Sequence, residues 1–225
     1  TNYLTSFAGF LVQKELEALA SALDHPLKPV AAIVGGSKIS TKIELLNNLS
    51  DKADFLIIGG AMANTLLKAQ GFEIGKSLTE NKMLKTAENI IKEMKNKKCK
   101  LVLPRDIICA ESMTNKAKTY LFSVGCCPID KMILDIGPMT EKDIMTIIDK
   151  SKTLIWNGPL GAFETLPFDR GTKKIAKYAA NRTLDRQLIS IAGGGDTVSA
   201  LKTSDSVSKF SYVSTAGGAF LEGLE

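Results

Sequence analysis

Two lysines, one aspartate and a series of glycine turns hold most of the chemistry that this sequence can offer. The string Gly193-Gly194-Gly195-Asp196-Thr197 follows the apolar run Gln187 to Ala192, which reads as a buried strand. Three glycines strip the turn of side chains, and Asp-Thr then opens a helix whose first N–H groups lack intrahelical partners and point at whatever binds. Such a turn seats phosphate. A carboxylate beside phosphate is repelled unless a divalent cation stands between them, and Mg²⁺ with its oxygen ligands resolves that conflict at Asp196. The competing reading makes Asp196 or Thr197 a helix cap.

A second glycine turn, Gly35-Gly36-Ser37-Lys38-Ile39-Ser40-Thr41-Lys42, follows the strand-like Val30 to Val34 and leads into the amphipathic Ile43-Glu44-Leu45-Leu46. Lys38 and Lys42 are four apart, so a helix starting near Ser37 places both ammonium groups on one face of its first turns. Cations there oppose the helix dipole, which favours lysines that meet a polyanion over lysines on a merely solvated helix start.

The only histidine, His25, precedes Pro26 in a turn away from these glycines, which disfavours Ser-His-Asp, Cys-His and histidine-metal chemistry. Phosphoryl transfer to an already ionised oxygen such as a carboxylate needs no general base. Lysines, helix N-termini and Mg²⁺ supply its positioning and charge neutralisation.

These groups must be held by the rest of the chain. At 225 residues, 44% hydrophobic and 24% charged, the sequence has ordinary globular composition and suffices for one large α/β domain. The net charge of +5 owes much to Lys92, Lys95, Lys97, Lys98 and Lys100, at the end of a predicted helix. Cations complement a helix C-terminus and no aromatic residues are interleaved with them, so no nucleic-acid partner is expected. Cys99, Cys109, Cys126 and Cys127 lack C-x-x-C spacing and read as buried or idle thiols. No signal sequence or membrane-length apolar run is present, so the expectation is a cytoplasmic protein without a membrane partner. The start at Thr1 and the ending Leu221 to Glu225 suggest a piece of something longer.

Strand and helix patterns alternate throughout. Helices are predicted over Leu11 to Leu23, from Ile43, and over Ala61 to Ala69, Glu80 to Asn96, Glu141 to Asp149 and Gly171 to Ala180. Two more start from Thr197 and near Gly217. Strands are predicted over Phe55 to Ile58, Lys100 to Leu103, Thr119 to Val124, Met132 to Asp135, Thr153 to Trp156 and Phe210 to Val213, besides the two above. The fold class is therefore α/β, a Rossmann-like parallel sheet with helices on both faces. Turns at Gly35-Gly36, Gly59-Gly60, Gly137-Pro138, Gly158-Pro159, Gly193 to Gly195 and Gly217-Gly218 each follow a predicted strand, and ligands of such sheets bind beyond the strands' carboxyl ends. Their number suggests a long, phosphate-bearing ligand. Two familiar signatures fail: Gly71 to Ser77 is one residue short of a P-loop and follows a helix, and no G-x-G-x-x-G follows any strand.

In order and spacing, Gly35 to Lys42, Ile58-Gly59-Gly60-Ala61-Met62-Ala63, Leu134-Asp135-Ile136-Gly137-Pro138, Trp156-Asn157-Gly158-Pro159, Phe163-Glu164, Gly193 to Thr197 and Ser214-Thr215-Ala216-Gly217-Gly218-Ala219 together resemble the nucleotide-binding lobe of phosphoglycerate kinases, over nearly the whole chain. The resemblance implies that Lys42 holds the nucleotide phosphates and Lys38 meets the transferring phosphoryl group. Asp196 would be the Mg²⁺ ligand, with Gly194, Gly195 and Thr197 around the phosphates. Glu164 would accept hydrogen bonds from the ribose hydroxyls, Asn157 and Pro159 would line the nucleotide site, and Gly59 and Gly60 would flank the adenine. The N–H groups of Gly217 and Gly218 would stabilise the phosphoryl group in flight. Each residue also has a plainer reading, as a solvated acid, a turn former or punctuation.

The chain departs from the family at Ile133, near the base, where some members carry glycine, and at Ala216, where many carry a third glycine. The family's N-terminal lobe, whose arginines and histidine bind 3-phosphoglycerate, has no counterpart here, nor does its extreme C-terminal segment. Residues 1–225 are thus expected to be the C-terminal half of a monomeric glycolytic kinase. The half would bind ATP or ADP with Mg²⁺ and be inactive alone. A non-catalytic nucleotide-binding module on the same fold is the alternative.

Overall fold

A computed structural model describes residues 25–214. The helix predicted over Leu11 to Leu23, the Gly217-Gly218 turn and the helix after it lie outside the described residues.

Strand β1, Val30–Val34, is buried along its whole length, as the centre of a parallel sheet must be. Its residues alternate between two cores: Val30, Ala32 and Val34 face one, Ala31 and Ile33 the other. Around it lie β2 (Phe55–Ile58), β3 (Lys100–Val102), β7 (Thr153–Asn157), β8 (Ile189–Gly193) and β9 (Tyr212–Val213), in the order β3-β2-β1-β7-β8-β9. Every neighbouring pair is parallel. Helices α1 (Ile43–Lys52), α2 (Gly60–Ala69) and α3 (Leu84–Asn96) cover the first face with Leu46, Leu49, Met62, Leu66, Ile90 and Met94. Helices α4 (Pro138–Lys150), α5 (Arg170–Leu184) and α6 (Gly195–Thr203) cover the second with Ile144, Ile148, Ile175, Ala179 and Leu201. The expected α/β architecture is what forms.

Three features differ from the sequence expectation. The chain leaves the parallel sheet after β3 to build an antiparallel one from β4 (Asp106–Ala110), β5 (Tyr120–Ser123) and β6 (Met132–Ile136), in the order β5-β4-β6. Strand β4, Asp-Ile-Ile-Cys-Ala, alternates too weakly to be read as a strand, and the two neighbours that were read cannot reveal their pairing direction. The Gly137-Pro138 turn therefore follows a strand of this second sheet and does not share the parallel sheet's edge. Finally, the helix begins at Ile43, as its apolar stripe predicts, and not near Ser37, the start that would have put Lys38 and Lys42 on one face.

That last difference has a local cause. The Lys42 N–H donates to the carbonyl of the fully buried Ile39 at 3.0 Å, and both the hydroxyl and the N–H of Ser40 donate to Glu80, so a turn tied from outside fills the stretch ahead of the helix. Lys38 and Lys42 consequently do not project from one helical face.

Three of the thiols, Cys99, Cys109 and Cys127, are buried and Cys126 is exposed; all are free. In the lysine run, Lys97 bridges Asp51 at 2.7 Å and donates to the Ser50 hydroxyl, fastening α3 to α1. Among the described residues no helix is long and apolar enough to cross a membrane.

Candidate active site

Successive strands run out to either side of β1, to β2 and to β7, so the sheet's switch point lies between β1 and β7. Their carboxyl ends are tied by the Gly35 N–H donating to the Asn157 carbonyl at 2.9 Å. The turn after β1 then presses on the turn after β7. A Cβ on Gly158, where φ is +100°, would lie 2.2 Å from the Gly35 oxygen, so glycine is the residue that fits.

Lys42, the residue capping α1, reaches into this junction. Its Nζ donates to the Gly35 carbonyl at 2.7 Å and to Asn157 Oδ1 at 2.6 Å. Burial lowers its pKa from 10.5 to about 8, an effect that the negative charge of Asp196 partly opposes. Asn157 works in two directions, because its Nδ2 donates to the Gly193 carbonyl at 2.8 Å while its Oδ1 accepts from the lysine. It thereby fixes Lys42 relative to the glycine turn that opens α6.

Helix α6 starts behind Gly194, at φ +93°, and no side chain caps it. Asp196 is exposed in its first turn and makes no cap, which removes the cap reading for that residue. The buried Thr197 turns its hydroxyl inward to accept from the Gly158 N–H at 2.6 Å, so it braces the two turns against each other. Gly195 has nothing within 4 Å of where a Cβ would stand, so packing does not require glycine there.

A cavity of about 600 Å³ adjoins this rim. Five residues singled out in the sequence line it: Gly60, Ile133, Pro159, Glu164 and Asp196. Gly36 lines it too, and a Cβ built there would be 3.6 Å from Lys42 Nζ, which brings the ammonium to the same rim. Gly59 does not line the cavity. It is buried, and a Cβ there would stand 2.6 Å from Leu160, so its glycine serves packing. Lys38 is exposed on the irregular loop between β1 and α1. Gly217 and Gly218 lie outside the described residues.

The sequence assigned no role to Leu78, Met113, Met132 and Phe163, which build an apolar wall, or to the buried Asn64 and Asp135 that also border the cavity, although Phe163 and Asp135 lie in the family's motifs. Much of that wall comes from the antiparallel sheet and its loops. Asn64, Leu78 and Met113 converge from separate segments with no spacing in common and so leave no motif.

Known proteins share this chain's sequence and fold. The phosphoglycerate kinase family profile matches residues 1–225. The chain is 52% identical over 222 residues to the phosphoglycerate kinase of Methylorubrum populi, covering 99% of this chain and 56% of that protein. It is 50% identical over 225 residues to that of Maricaulis maris, again covering 56% of the relative. The chain thus spans about half the length of these relatives. Phosphoglycerate kinase from Coxiella burnetii superposes with a TM-score of 0.91 at 46% identity, over 96% of this chain and 55% of that one. The enzyme from Pyrococcus horikoshii gives 0.79 at 27% identity over 96% and 54%. With its profile matched from end to end and its fold shared with both solved enzymes, the chain belongs to the phosphoglycerate kinase family.

Proposed function

We propose that this chain is the C-terminal, nucleotide-binding lobe of a phosphoglycerate kinase that moves a phosphoryl group reversibly between ATP and the carboxylate of 3-phosphoglycerate, giving ADP and 1,3-bisphosphoglycerate. One observation carries the reading. A cation held by carbonyls, an uncapped helix start bearing an exposed carboxylate, and a largely apolar cavity edged by Glu164 all meet at one rim.

In this reading the base occupies the cavity between Gly60 and Ile133, and Glu164 takes the ribose hydroxyls. The polyphosphate runs toward α6, where the N–H groups of Gly195 and its neighbours receive it. Lys42 exchanges its carbonyl partners for phosphate oxygens, and Lys38 meets the group in transfer. Gly217 and Gly218 would add backbone donors to it.

Among the described residues no cluster of three metal-ligating side chains exists. A single exposed carboxylate at an open helix start fits a Mg²⁺ ion that arrives with the nucleotide, since such ions complete their shell with phosphate and water. Held by Asp196, Mg²⁺ would offset the charge on the phosphates.

The acceptor 3-phosphoglycerate would bind an N-terminal lobe of the whole protein, expected to be monomeric and cytoplasmic. Without that lobe the carboxylate is not held in line with the γ-phosphate, so the 225-residue chain is expected to bind nucleotide but not to turn over. Calorimetric titration with MgADP tests binding, and no heat at millimolar nucleotide overturns it. A coupled assay on the same chain tests transfer; robust turnover would show the acceptor site to be misplaced.

A further inference from the structure

Lys38 needs an explanation that a helix no longer supplies. It sits on an irregular stretch between β1 and α1, and the chain around it is held at three points. Ile39 is buried in the core, the Thr41 hydroxyl donates to the Lys38 carbonyl at 3.0 Å, and Ser40 is gripped from outside the loop. That grip is bidentate: the Ser40 hydroxyl donates to Glu80 Oε1 at 2.6 Å and the Ser40 N–H to Glu80 Oε2 at 3.0 Å.

Glu80 is itself fixed. Its N–H donates to the hydroxyl of Thr65, a fully buried residue of α2, at 3.2 Å. Two residues earlier, the Leu78 carbonyl accepts from Asn64 Nδ2, also on α2, and both Leu78 and Asn64 line the cavity. One short segment therefore borders the cavity and clamps the lysine loop. Slight burial raises the Glu80 pKa, but the hydrogen bonds from Ser40 and Ile39 and the nearby Lys38 charge outweigh it and hold the carboxyl below its ordinary value.

We propose that Glu80 is a positioning residue which, by gripping both donors of Ser40, sets the place of Lys38 against the terminal phosphoryl group of the bound nucleotide. The proposal rests on the nucleotide reading above. Ile39 fixes the loop's depth but not its swing, because an apolar side chain in a core is non-directional, whereas two charge-assisted hydrogen bonds to one carboxylate are directional.

The test is the affinity of the unmodified chain and of Glu80→Gln for MgATP and MgADP, with Lys38→Met as the second arm of a double-mutant cycle. A glutamine removes the charge that strengthens both bonds, and it can meet the Ser40 hydroxyl only by reversing that bond, with Nε2 donating to the hydroxyl oxygen. Glu80→Gln should weaken MgATP binding about five- to tenfold and MgADP binding less than about twofold. In the Lys38→Met background the same change should have no further effect. Equal losses for both nucleotides, or a loss that persists without Lys38, overturns the proposal. Ser40→Ala, which removes one exposed donor and keeps the N–H, should show a smaller loss with the same ATP preference; it carries the test if Glu80→Gln fails to fold. Should the unmodified chain bind neither nucleotide, the nucleotide reading falls by itself. The clamp is then judged on amide exchange at Ser40, which must speed up in Glu80→Gln, and unchanged exchange refutes it.

Discussion

Replacing Lys42 by methionine separates the physics of the site from its packing, because the chain is nearly isosteric and only the ammonium disappears. In the folded protein burial lowers the Lys42 pKa from 10.5 to about 8, a gap worth about 3 kcal/mol of disfavoured charging. Between these values the unfolded chain binds more protons than the folded one, so stability rises with pH across the window; equally, it is lost as pH falls from 10.5 through 8. At pH 7 the full penalty is present. Lys42→Met removes it but leaves the Gly35 carbonyl and Asn157 Oδ1 without their donor, a loss of about 1–3 kcal/mol. The two effects nearly cancel at neutral pH. Urea unfolding of both proteins should therefore give similar stabilities at pH 7, with the unmodified protein gaining up to about 3 kcal/mol on the variant by pH 10. Since every other titrating group is common to both, the difference isolates Lys42. A difference that stays flat from pH 7 to 10 would mean that the ammonium is not held in the carbonyl cage as described. MgADP affinity should fall at least about tenfold in the variant, whatever the stability result, because a charge-assisted contact to phosphate is lost.

Four further outcomes follow from the same rim. Asp196→Asn should lower stability by no more than about 1 kcal/mol, because the exposed residue caps nothing and gives up only its charge beside Lys42 and the helix start, while MgADP binding weakens about tenfold or more and binding measured in chelator hardly moves; an unaltered MgADP affinity would count against the metal role. Gly195→Ala should be neutral or stabilise by up to about 1 kcal/mol in chemical denaturation yet lower nucleotide affinity, since its Cβ meets only open space at the helix start proposed to seat phosphate. Gly158→Ala, with φ at +100° and the Gly35 oxygen 2.2 Å from the new Cβ, should instead lose about 3 kcal/mol or fail to fold, and equal behaviour of the two variants would contradict the geometry. Asn157→Ala should weaken both stability, by about 1–3 kcal/mol, and nucleotide binding, measured in the same two assays, because one amide serves both Lys42 and the Gly193 turn.

The parallel sheet was legible because its strands announce themselves. Val30 to Val34 and Thr153 to Trp156 are apolar runs closed by glycine, and the intervening helices carry clear apolar stripes. The glycine turns after β1, β2, β7 and β8 were legible for a related reason: each needs either a left-handed backbone or a contact too close for a side chain, and only one residue type meets that need. Lys38 illustrates where pattern fails. Its spacing from Lys42 fits a helix, yet the Ile39–Lys42 turn and the two Ser40 hydrogen bonds to Glu80 are tertiary contacts that override that weak local preference. Glu80 gave no signal at all, being an ordinary acid before a helix until the fold brings it to Ser40. Strand β4 was lost because its pairing with β5 and β6 is a tertiary fact, and the cavity's apolar wall was lost with it.

The treatment of helix starts explains why the rim sits where it does. Helix α4 begins with the N–H groups of Met139 and Thr140 donating to the buried carboxylate of Asp106, each at 2.8 Å, and α5 begins with Gly171 donating to Asp135 at 2.8 Å. The first N–H groups of α2 go to the carbonyls of Leu160 and Gly36. All three positive helix ends are satisfied from within, and at Asp135 burial, helped by the charges of Glu141 and Asp169, pushes the carboxyl pKa up to about 8 even with two N–H donors on it. A carboxyl group so placed occupies the helix start and leaves no room for an outside anion. At α6 the nearby acid is Asp196, which sits in the exposed first turn and does not cap the helix, so the donors are left to an incoming group. The same elementary device, a helix dipole in search of negative charge, thus stabilises the fold where the protein fills it and makes a binding site where the protein declines to. By this logic an anion competing with nucleotide should act at α6 and leave the α4 and α5 starts untouched. Chemical-shift changes on titration with inorganic phosphate should fall on Gly195 to Thr197 and spare Met139, Thr140 and Gly171; shifts centred on the latter group would refute the argument.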